Sequence, residues 1–242
     1  MRTAEARRQV RQLLKHGERV PKALRASILA GGSGVVAPLV ELLQDESLSL
    51  KSAPGAGYAP VHAARLLLQL GAPEALEPLV CRLPRSEPGQ LLHDTLVEGL
   101  ALLGAAVIPL TLKVLARTRD ADERLGPLAL LSRCGVKDER IYALLLEQLQ
   151  QEPLRGAMGL ASYGDPRALE PLKRALDAQE VDEKVDDLFV TQAVIELEEA
   201  IQQLGGTLDG AQREKARRAW RSLQRTGRWV RLLLKTLPSL LP

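Results

Sequence analysis

The sequence predicts an all-α protein, a right-handed α-solenoid of about five helical-hairpin repeats. Three observations lead to this prediction: similar segments recur at multiples of 31 residues, turn residues divide each repeat into two helices, and the composition is aliphatic. The 242 residues include 49 leucines but only six Phe, Trp and Tyr residues. Such a composition favours a core of packed helices and speaks against an all-β fold.

The repeat is clearest in two segments, GAPEALEPLVCRL at 71–83 and GDPRALEPLKRAL at 164–176, which begin 93 residues apart. This separation equals three periods of 31 residues. An intermediate copy places Pro109 31 residues after Pro78, whereas Pro38 stands 40 residues before Pro78. About nine extra residues therefore lie between the first two of these copies, as insertions between repeats do.

Each repeat is predicted to form two antiparallel helices joined by a tight turn. In Gly164-Asp165-Pro166, the glycine can end one helix with a positive φ, the aspartate can cap the next, and the proline suits its first turn. A second proline follows about one turn later, at Pro38, Pro78, Pro109 and Pro171. Because proline removes a backbone hydrogen bond, we expect these residues to bend the second helix.

In chain order, the pattern predicts helices near 3–16 and 21–31, helix pairs near 58–83, 88–117, 119–150 and 152–178, and a long helix near 183–204. A Ser-, Gly- and Pro-rich exposed loop is predicted at 46–57 and an acidic connection at 177–187. The predicted domains are N-terminal capping helices at 1–31, the repeat array at 32–205 and a basic amphipathic capping helix at 206–242.

The turn sequence LGAPEALEPL at 70–79 resembles the short HEAT-like repeats of phycobilin-lyase-type proteins, and the resemblance extends over roughly residues 20–205. It implies a stacked helical architecture but no particular activity. Tetratricopeptide repeats are the alternative. They have a period of about 34 residues and aromatic signature positions, which this sequence lacks.

Residues that would support catalysis or metal binding are scarce. The three histidines, His16, His62 and His93, have no HExxH motif or His-Glu pairs around them, unlike HEAT-like metalloenzymes such as deoxyhypusine hydroxylase. Motifs for a phosphate loop, a nucleophile elbow or a Cys-x-x-Cys pair are also missing from the sequence. We therefore expect no metal, no other cofactor and no catalytic residues.

Cellular location is inferred from the N-terminus and the cysteines. The start MRTAEARRQVRQLL has no apolar stretch typical of a secretory signal. Its arginines also fit an organellar transit peptide, but the helical pattern continues into the domain. Cys81 and Cys134 lie in separate helical patterns without disulfide spacing, so we expect buried, apolar roles in a reducing compartment. The prediction is a cytoplasmic protein without a transmembrane segment.

Four residues at one repeat position form a predicted column. His62, His93, Arg124 and Arg155 are spaced by 31 residues, near the start of the first helix in successive repeats. A cation near a helix N-terminus opposes the helix dipole. The favoured interpretation is therefore a structural ladder with carboxylates such as Glu87, Asp120 or Glu152. The alternative is a docking site for an acidic partner.

Charge is divided unevenly along the chain. Residues 1–25 carry a net charge of +6, residues 26–210 carry −11 and residues 211–242 carry +8. On a C-terminal helix, one basic stripe would span about 120° of arc; it contains Arg213, Arg217, Arg221, Arg225, Arg228, Arg231 and Lys235. The apolar arc, which includes Trp220 and Leu223, is predicted to close the last repeat. The stripe is either a solvated face or a site for an anionic surface.

These observations favour a non-catalytic scaffold or adaptor that binds another protein, for which an acidic surface is one option. The candidate partner-binding residues are His62, His93, Arg124, Arg155, Arg217, Arg221, Arg225 and Arg228. Two alternatives remain open: an enzyme subunit resembling the phycobilin lyases, and a HEAT-like nucleic-acid binder. Nucleic acid or an anionic membrane surface would both use the C-terminal stripe.

Overall fold

A computed structural model describes residues 3–180 and 187–236, with side chains described in the last helix as far as Arg225. Within these residues the chain forms thirteen α-helices and short 3-10 turns, and no strand. The prediction of an all-α protein is confirmed. The chain divides into two compact units, Met1–Val136 and Lys137–Pro242, called unit 1 and unit 2 below.

Unit 1 contains eight α-helices in its described part. They are α1 (Thr3–Val10), α2 (Lys22–Leu29), α3 (Val36–Gln44), α4 (Ala59–Leu70), α5 (Pro73–Arg82), α6 (Leu91–Ala101), α7 (Ile108–Leu115) and α8 (Ala121–Arg133). They pack in two rows: α4, α6 and α8 contact one another in succession, and so do α3, α5 and α7. Fully buried leucines join the first row, with Leu67 on α4, Leu96 on α6 and Leu130 on α8.

Unit 2 contains the remaining helices. They are α9 (Glu139–Gln151), α10 (Pro153–Tyr163), α11 (Leu169–Ala178), α12 (Leu188–Gln203) and α13 (Gly210–Thr236). Helix α10 packs against α9 and α12, and α12 also contacts α11 and α13. Leu145, Leu160, Leu172 and Ile201 are completely buried in this unit. Its core is therefore also aliphatic.

The predicted turn chemistry is confirmed at two hairpins. Gly71 and Gly164 adopt left-handed conformations, with φ of 60° and 71°, directly after α4 and α10. A residue with a side chain would be strained there. In the second hairpin, the Asp165 carboxylate accepts a hydrogen bond from the Arg167 backbone amide and caps the turn that follows.

The prediction that the second proline bends each helix is wrong at three positions. Pro38, Pro109 and Pro171 lie in the first turns of α3, α7 and α11, each of which follows a short 3-10 turn. The first amides of an α-helix have no intrahelical acceptor, so a proline there removes little. Pro78 does lie inside α5, and the bend expected there stays a prediction.

The loop at 46–57 begins with a 3-10 turn, Glu46–Ser49, and then folds back on itself. Gly55, Ala56 and Gly57 have successive positive φ values of 73°, 52° and 85°. A Cβ atom on Gly57 would lie 2.9 Å from the Ser49 carbonyl oxygen. Close backbone approach therefore fixes the path of this loop.

The two cysteines have different environments. Cys134 is buried, its thiol contacts the Leu130 carbonyl oxygen at 3.1 Å, and burial raises its pKa to about 11. The prediction of a buried Cys81 is wrong. This residue is exposed on α5 between buried Val80 and Arg82, because the helix turns its position outward.

Among the described residues, no single helix has the length and hydropathy required to cross a membrane. Two helix pairs meet the length and composition requirements only together, across bends of 113° and 119°.

Candidate functional site

His62 is the first member of the predicted column, and it is buried, with 5% of its surface exposed. Its Nε2–H donates a hydrogen bond to the Gly17 carbonyl oxygen at 2.7 Å. This contact ties α4 to the segment that follows α1. Burial lowers the pKa of the imidazole, the Gly17 hydrogen bond opposes that shift, and the positive charges of Arg65 and His16 lower the pKa further.

His93 is also buried, with 6% of its surface exposed, and its side chain forms hydrogen bonds within unit 1. Its Nδ1 lies 3.1 Å from both the hydroxyl and the carbonyl oxygen of Ser86. The Ser86 hydroxyl donates its hydrogen to the Leu83 carbonyl oxygen at 2.7 Å. The hydroxyl must therefore accept from His93, which places a hydrogen on Nδ1.

The two arginines of the column differ from each other. Arg124 donates from Nη1 to the carbonyl oxygens of Leu115 and Thr118, at 3.3 and 3.2 Å. Arg155 forms an ion pair with Glu152, with Nε 3.1 Å from Oε2. The predicted carboxylate ladder is therefore found only at Arg155.

The first three column residues share a different role from the one expected. Each of His62, His93 and Arg124 donates to backbone carbonyls in a segment that precedes its helix. A carbonyl acceptor offsets the cost of burying a polar N–H group, so these positions do not need a carboxylate for that purpose. His62 and His93 present almost no surface to a partner, whereas Arg124 and Arg155 are half-buried.

The low pKa of His62 predicts how stability depends on pH. The unfolded chain binds a proton at this residue near pH 6.5, whereas the folded chain resists protonation until a lower pH. Stability should therefore fall as the pH drops below about 6.5. Urea denaturation at several pH values should show a smaller decline for His62→Gln than for the parent. An equal decline in both would contradict this assignment.

The C-terminal stripe lies on α13, where Arg217, Arg221 and Arg225 are exposed. Glu214, the only acidic residue of 211–242, pairs with two of them. Its carboxylate oxygens lie 3.3 Å from Arg217 Nη1 and 2.8 Å from Arg221 Nη2. Within the described residues, Arg225 forms no ion pair. The stripe therefore keeps a net positive charge.

The Arg228 side chain lies outside the described residues, and so do those of Arg231 and Lys235. The backbone of α13 nevertheless continues through these positions to Thr236. Gly227 therefore does not end the helix, and the backbone requirement for a continuous stripe is met.

The opposite side of α13 attaches the helix to unit 2. Ala216 and Ala219 are buried, and α13 packs against α12. Trp220 is 39% exposed, and its Nε1–H donates to Glu198 Oε2 at 3.0 Å. Lys215 donates from Nζ to the Leu176 carbonyl oxygen at 2.9 Å. The predicted packing face is present, but Trp220 lies at its edge.

The acidic connection predicted at 177–187 is described only in part, because residues 181–186 lie outside the described residues. Asp177 accepts a hydrogen bond from Gln212 Nε2 at 2.9 Å, next to the start of α13. On α12, burial and the neighbouring Glu199 charge raise the pKa of Glu196. The carboxylates of Asp177 and Glu198 thus lie beside the basic helix and accept hydrogen bonds from its uncharged Gln212 and Trp220 side chains.

A second polar cluster joins the start of α9 to the turn before α11. The rings of Tyr142 and Tyr163 stack with centroids 6.2 Å apart, and the Arg167 guanidinium lies 4.6 Å from the Tyr142 ring. Arg167 also binds Asp165 at 2.7 Å and Glu139 at 2.8 Å, and it lowers the pKa of the Asp165 carboxyl. Because the charges are paired within the cluster, we interpret it as structural.

Arg82 is a functional candidate that the sequence analysis missed. It ends α5 and is 2% exposed, and it lines a cavity beside the 46–57 loop. The sequence signal that could have indicated it is the interruption of the repeat spacing, because insertions between repeats often form binding loops.

Within the described residues, no three His, Cys, Asp or Glu side chains come together as a possible metal site. Comparison with known protein families and with curated proteins gives no match for this chain.

Proposed function

We propose that this protein is a non-catalytic, HEAT-like scaffold of the cytoplasm that binds an acidic protein partner. In this proposal the helix pairs belong to a right-handed α-solenoid, and the stripe on α13 forms the contact. The two rows of unit 1 support the architecture, because hairpin repeats that stack on their neighbours produce such rows.

The observation that carries the functional proposal is the exposed cationic stripe on a helix whose other side is fixed. Buried Ala216 and Ala219, together with the Trp220 contact to Glu198, hold α13 against unit 2. The helix that carries the arginines is therefore already ordered, and binding of a partner orders their side chains without ordering the backbone as well. Clustered positive charge accelerates association with acidic surfaces and selects against basic ones.

The charge distribution favours a protein over nucleic acid. Residues 26–210 carry a net charge of −11, and a nucleic acid that extended beyond α13 would meet this acidic body. Phosphate backbones require several cationic contacts spread along the strand. A protein with a compact acidic patch needs only the stripe.

Removing the stripe should weaken binding of an acidic probe. We expect the triple variant Arg217→Gln, Arg221→Gln and Arg225→Gln to bind a fluorescent polyglutamate peptide at least about tenfold more weakly, as loss of about 1.4 kcal/mol would produce. Fluorescence anisotropy at low and physiological salt measures this, and parent affinity should fall as salt rises. Stability should change by less than about 1 kcal/mol for each lost surface pair.

The matched control is Arg174→Gln on α11, an exposed arginine of the same unit outside the stripe. It should bind polyglutamate like the parent. A single-stranded DNA of equal charge tests the alternative. If DNA binds more tightly than polyglutamate, the partner of the stripe is a nucleic acid and not an acidic protein. If the affinity for polyglutamate changes neither with salt concentration nor with the triple substitution, the stripe is not the binding site.

A further inference from the structure

Unit 1 contains a cavity of about 420 Å³ between the 46–57 loop, the end of α5 and the start of α6. Small-molecule sites usually have volumes of about 300–1,000 Å³. The cavity lies where extra residues interrupt the 31-residue spacing, between Pro38 and Pro78. Stacking of the helices does not itself require these inserted residues, so the cavity that they line is an additional feature of unit 1.

Arg82 is the buried cation among the residues that line the cavity, with 2% of its surface exposed. Its Nε donates to the Leu43 carbonyl oxygen at 3.0 Å, Nη1 to the Arg85 carbonyl oxygen at 2.6 Å, and Nη2 to the Ser49 hydroxyl at 3.4 Å. A guanidinium has five N–H groups. Among the described residues, these contacts use three of them and leave one hydrogen on each Nη nitrogen without an acceptor.

The charge of Arg82 lacks a direct counter-ion. Within the described residues, no carboxylate lies within ion-pair distance of it, and Glu46 instead approaches Arg85, with Oε1 3.6 Å from Nη1. Burial lowers the pKa of Arg82, and the Glu46 charge only partly offsets this. A buried charge is costly unless an opposite charge compensates it. An anion in the cavity would provide that compensation.

The mouth of the cavity is more apolar than its buried end. Leu50 and Leu91 line it and are 59% and 42% exposed. Glu46 and Glu87 also line the cavity and are exposed. Lys51 and Arg85 also line the cavity, and Arg85 approaches Glu46, so the exposed charges of the lining balance one another. Arg82 carries the buried charge of the lining. A ligand with one negative charge and an apolar body matches this buried charge and the two leucines.

We infer that this cavity binds an organic monocarboxylate, with the carboxylate on Arg82 and the apolar body against Leu50 and Leu91. The guanidinium supplies charge-assisted hydrogen bonds, and the leucines bury apolar surface. Two sources share this chemistry: a free carboxylic acid and the C-terminus of a peptide that ends in an apolar residue. The site is separate from the stripe on α13 and does not depend on the scaffold proposal.

Four probes test the chemistry on the full chain by amide chemical-shift titration. Hexanoate should bind saturably and shift resonances of the 46–57 loop. Hexan-1-ol lacks the charge and inorganic phosphate lacks the apolar body, so each should bind about tenfold more weakly, the cost of one charge-assisted hydrogen bond or of comparable apolar burial. N-acetyl-leucine distinguishes the sources: tighter binding than hexanoate indicates a peptide C-terminus, and weaker binding a free acid.

Two substitutions locate the site. Arg82→Gln should reduce hexanoate affinity about tenfold or more, since the ionic hydrogen bonds are lost. Arg124→Gln is the matched control, because Arg124 also donates to backbone carbonyls of unit 1 but does not line the cavity. It should bind hexanoate like the parent.

Leu91→Ser keeps the test decisive if Arg82→Gln does not fold, because Leu91 is exposed at the first position of α6. This variant should fold normally and bind hexanoate more weakly. Hexanoate binding that is undetectable in the parent, that equals the binding of hexan-1-ol, or that is unchanged in Leu91→Ser or in folded Arg82→Gln would overturn the inference.

Discussion

Replacing Leu172 with Ala is expected to lower the free energy of unfolding by about 2–5 kcal/mol, and Leu79→Ala should do the same. Leu172 on α11 is completely buried in unit 2, and Leu79 on α5 is 2% exposed in unit 1. Each truncation removes buried methyl groups and leaves a cavity that the neighbouring helices cannot fully close. Urea denaturation followed by far-UV circular dichroism measures the change.

The control for these truncations is Leu102→Ala. Leu102 follows α6 and is 88% exposed, so the same chemical change removes little buried surface. Its effect should stay within about 0.5 kcal/mol, as for most surface substitutions. If Leu172→Ala and Leu102→Ala proved equally stable, the assignment of the core face of α11 would be incorrect.

Gly156→Ala is expected to destabilise unit 2 by about 1–3 kcal/mol or more, the usual cost of overpacking. Gly156 lies in α10, and an added Cβ would overlap the Cα and N atoms of Leu149 in α9. Backbone atoms cannot move aside as a side chain can. The clash should therefore outweigh the gain of roughly 0.5–1 kcal/mol that Gly→Ala gives inside a helix.

Gly159→Ala on the same helix is the matched comparison. Its added Cβ would approach the end of the Leu145 side chain at 2.9 Å, and that side chain can rotate away. Thermal unfolding should rank Gly156→Ala well below Gly159→Ala. The opposite ranking would mean that α9 and α10 do not approach each other as closely as the structure indicates.

Local sequence patterns were sufficient to predict the helices and their turns. Helical spacing of apolar residues and the Gly-Asp-Pro turn at 164–166 depend only on neighbouring residues, and the structure confirms both. The proline prediction failed for a related reason. Residue spacing does not show that a 3-10 turn precedes α7, so it could not place Pro109 in the first α-helical turn.

The partners of the column and the role of Arg82 could not be predicted from local patterns. His62 lies 45 residues from Gly17, its acceptor, and every residue except proline offers the same carbonyl and amide groups. A sequence therefore gives no sign of which carbonyl a side chain will meet. Arg82 similarly bonds to Leu43, 39 residues away, through a carbonyl that no residue type marks.

The backbone acceptors of the column also have a consequence for how such a chain can change through evolution. A carboxylate partner must be retained or replaced together with its cation, so the two positions would have to change jointly. A carbonyl oxygen persists whatever side chain its residue carries. The column position therefore holds a buried imidazole at His62 and His93 and a half-buried guanidinium at Arg124, with no carboxylate partner that must be retained. A substitution there requires no joint change elsewhere as long as any charge it introduces stays in contact with water. Arg155, which depends on Glu152, is the position where paired substitutions should appear.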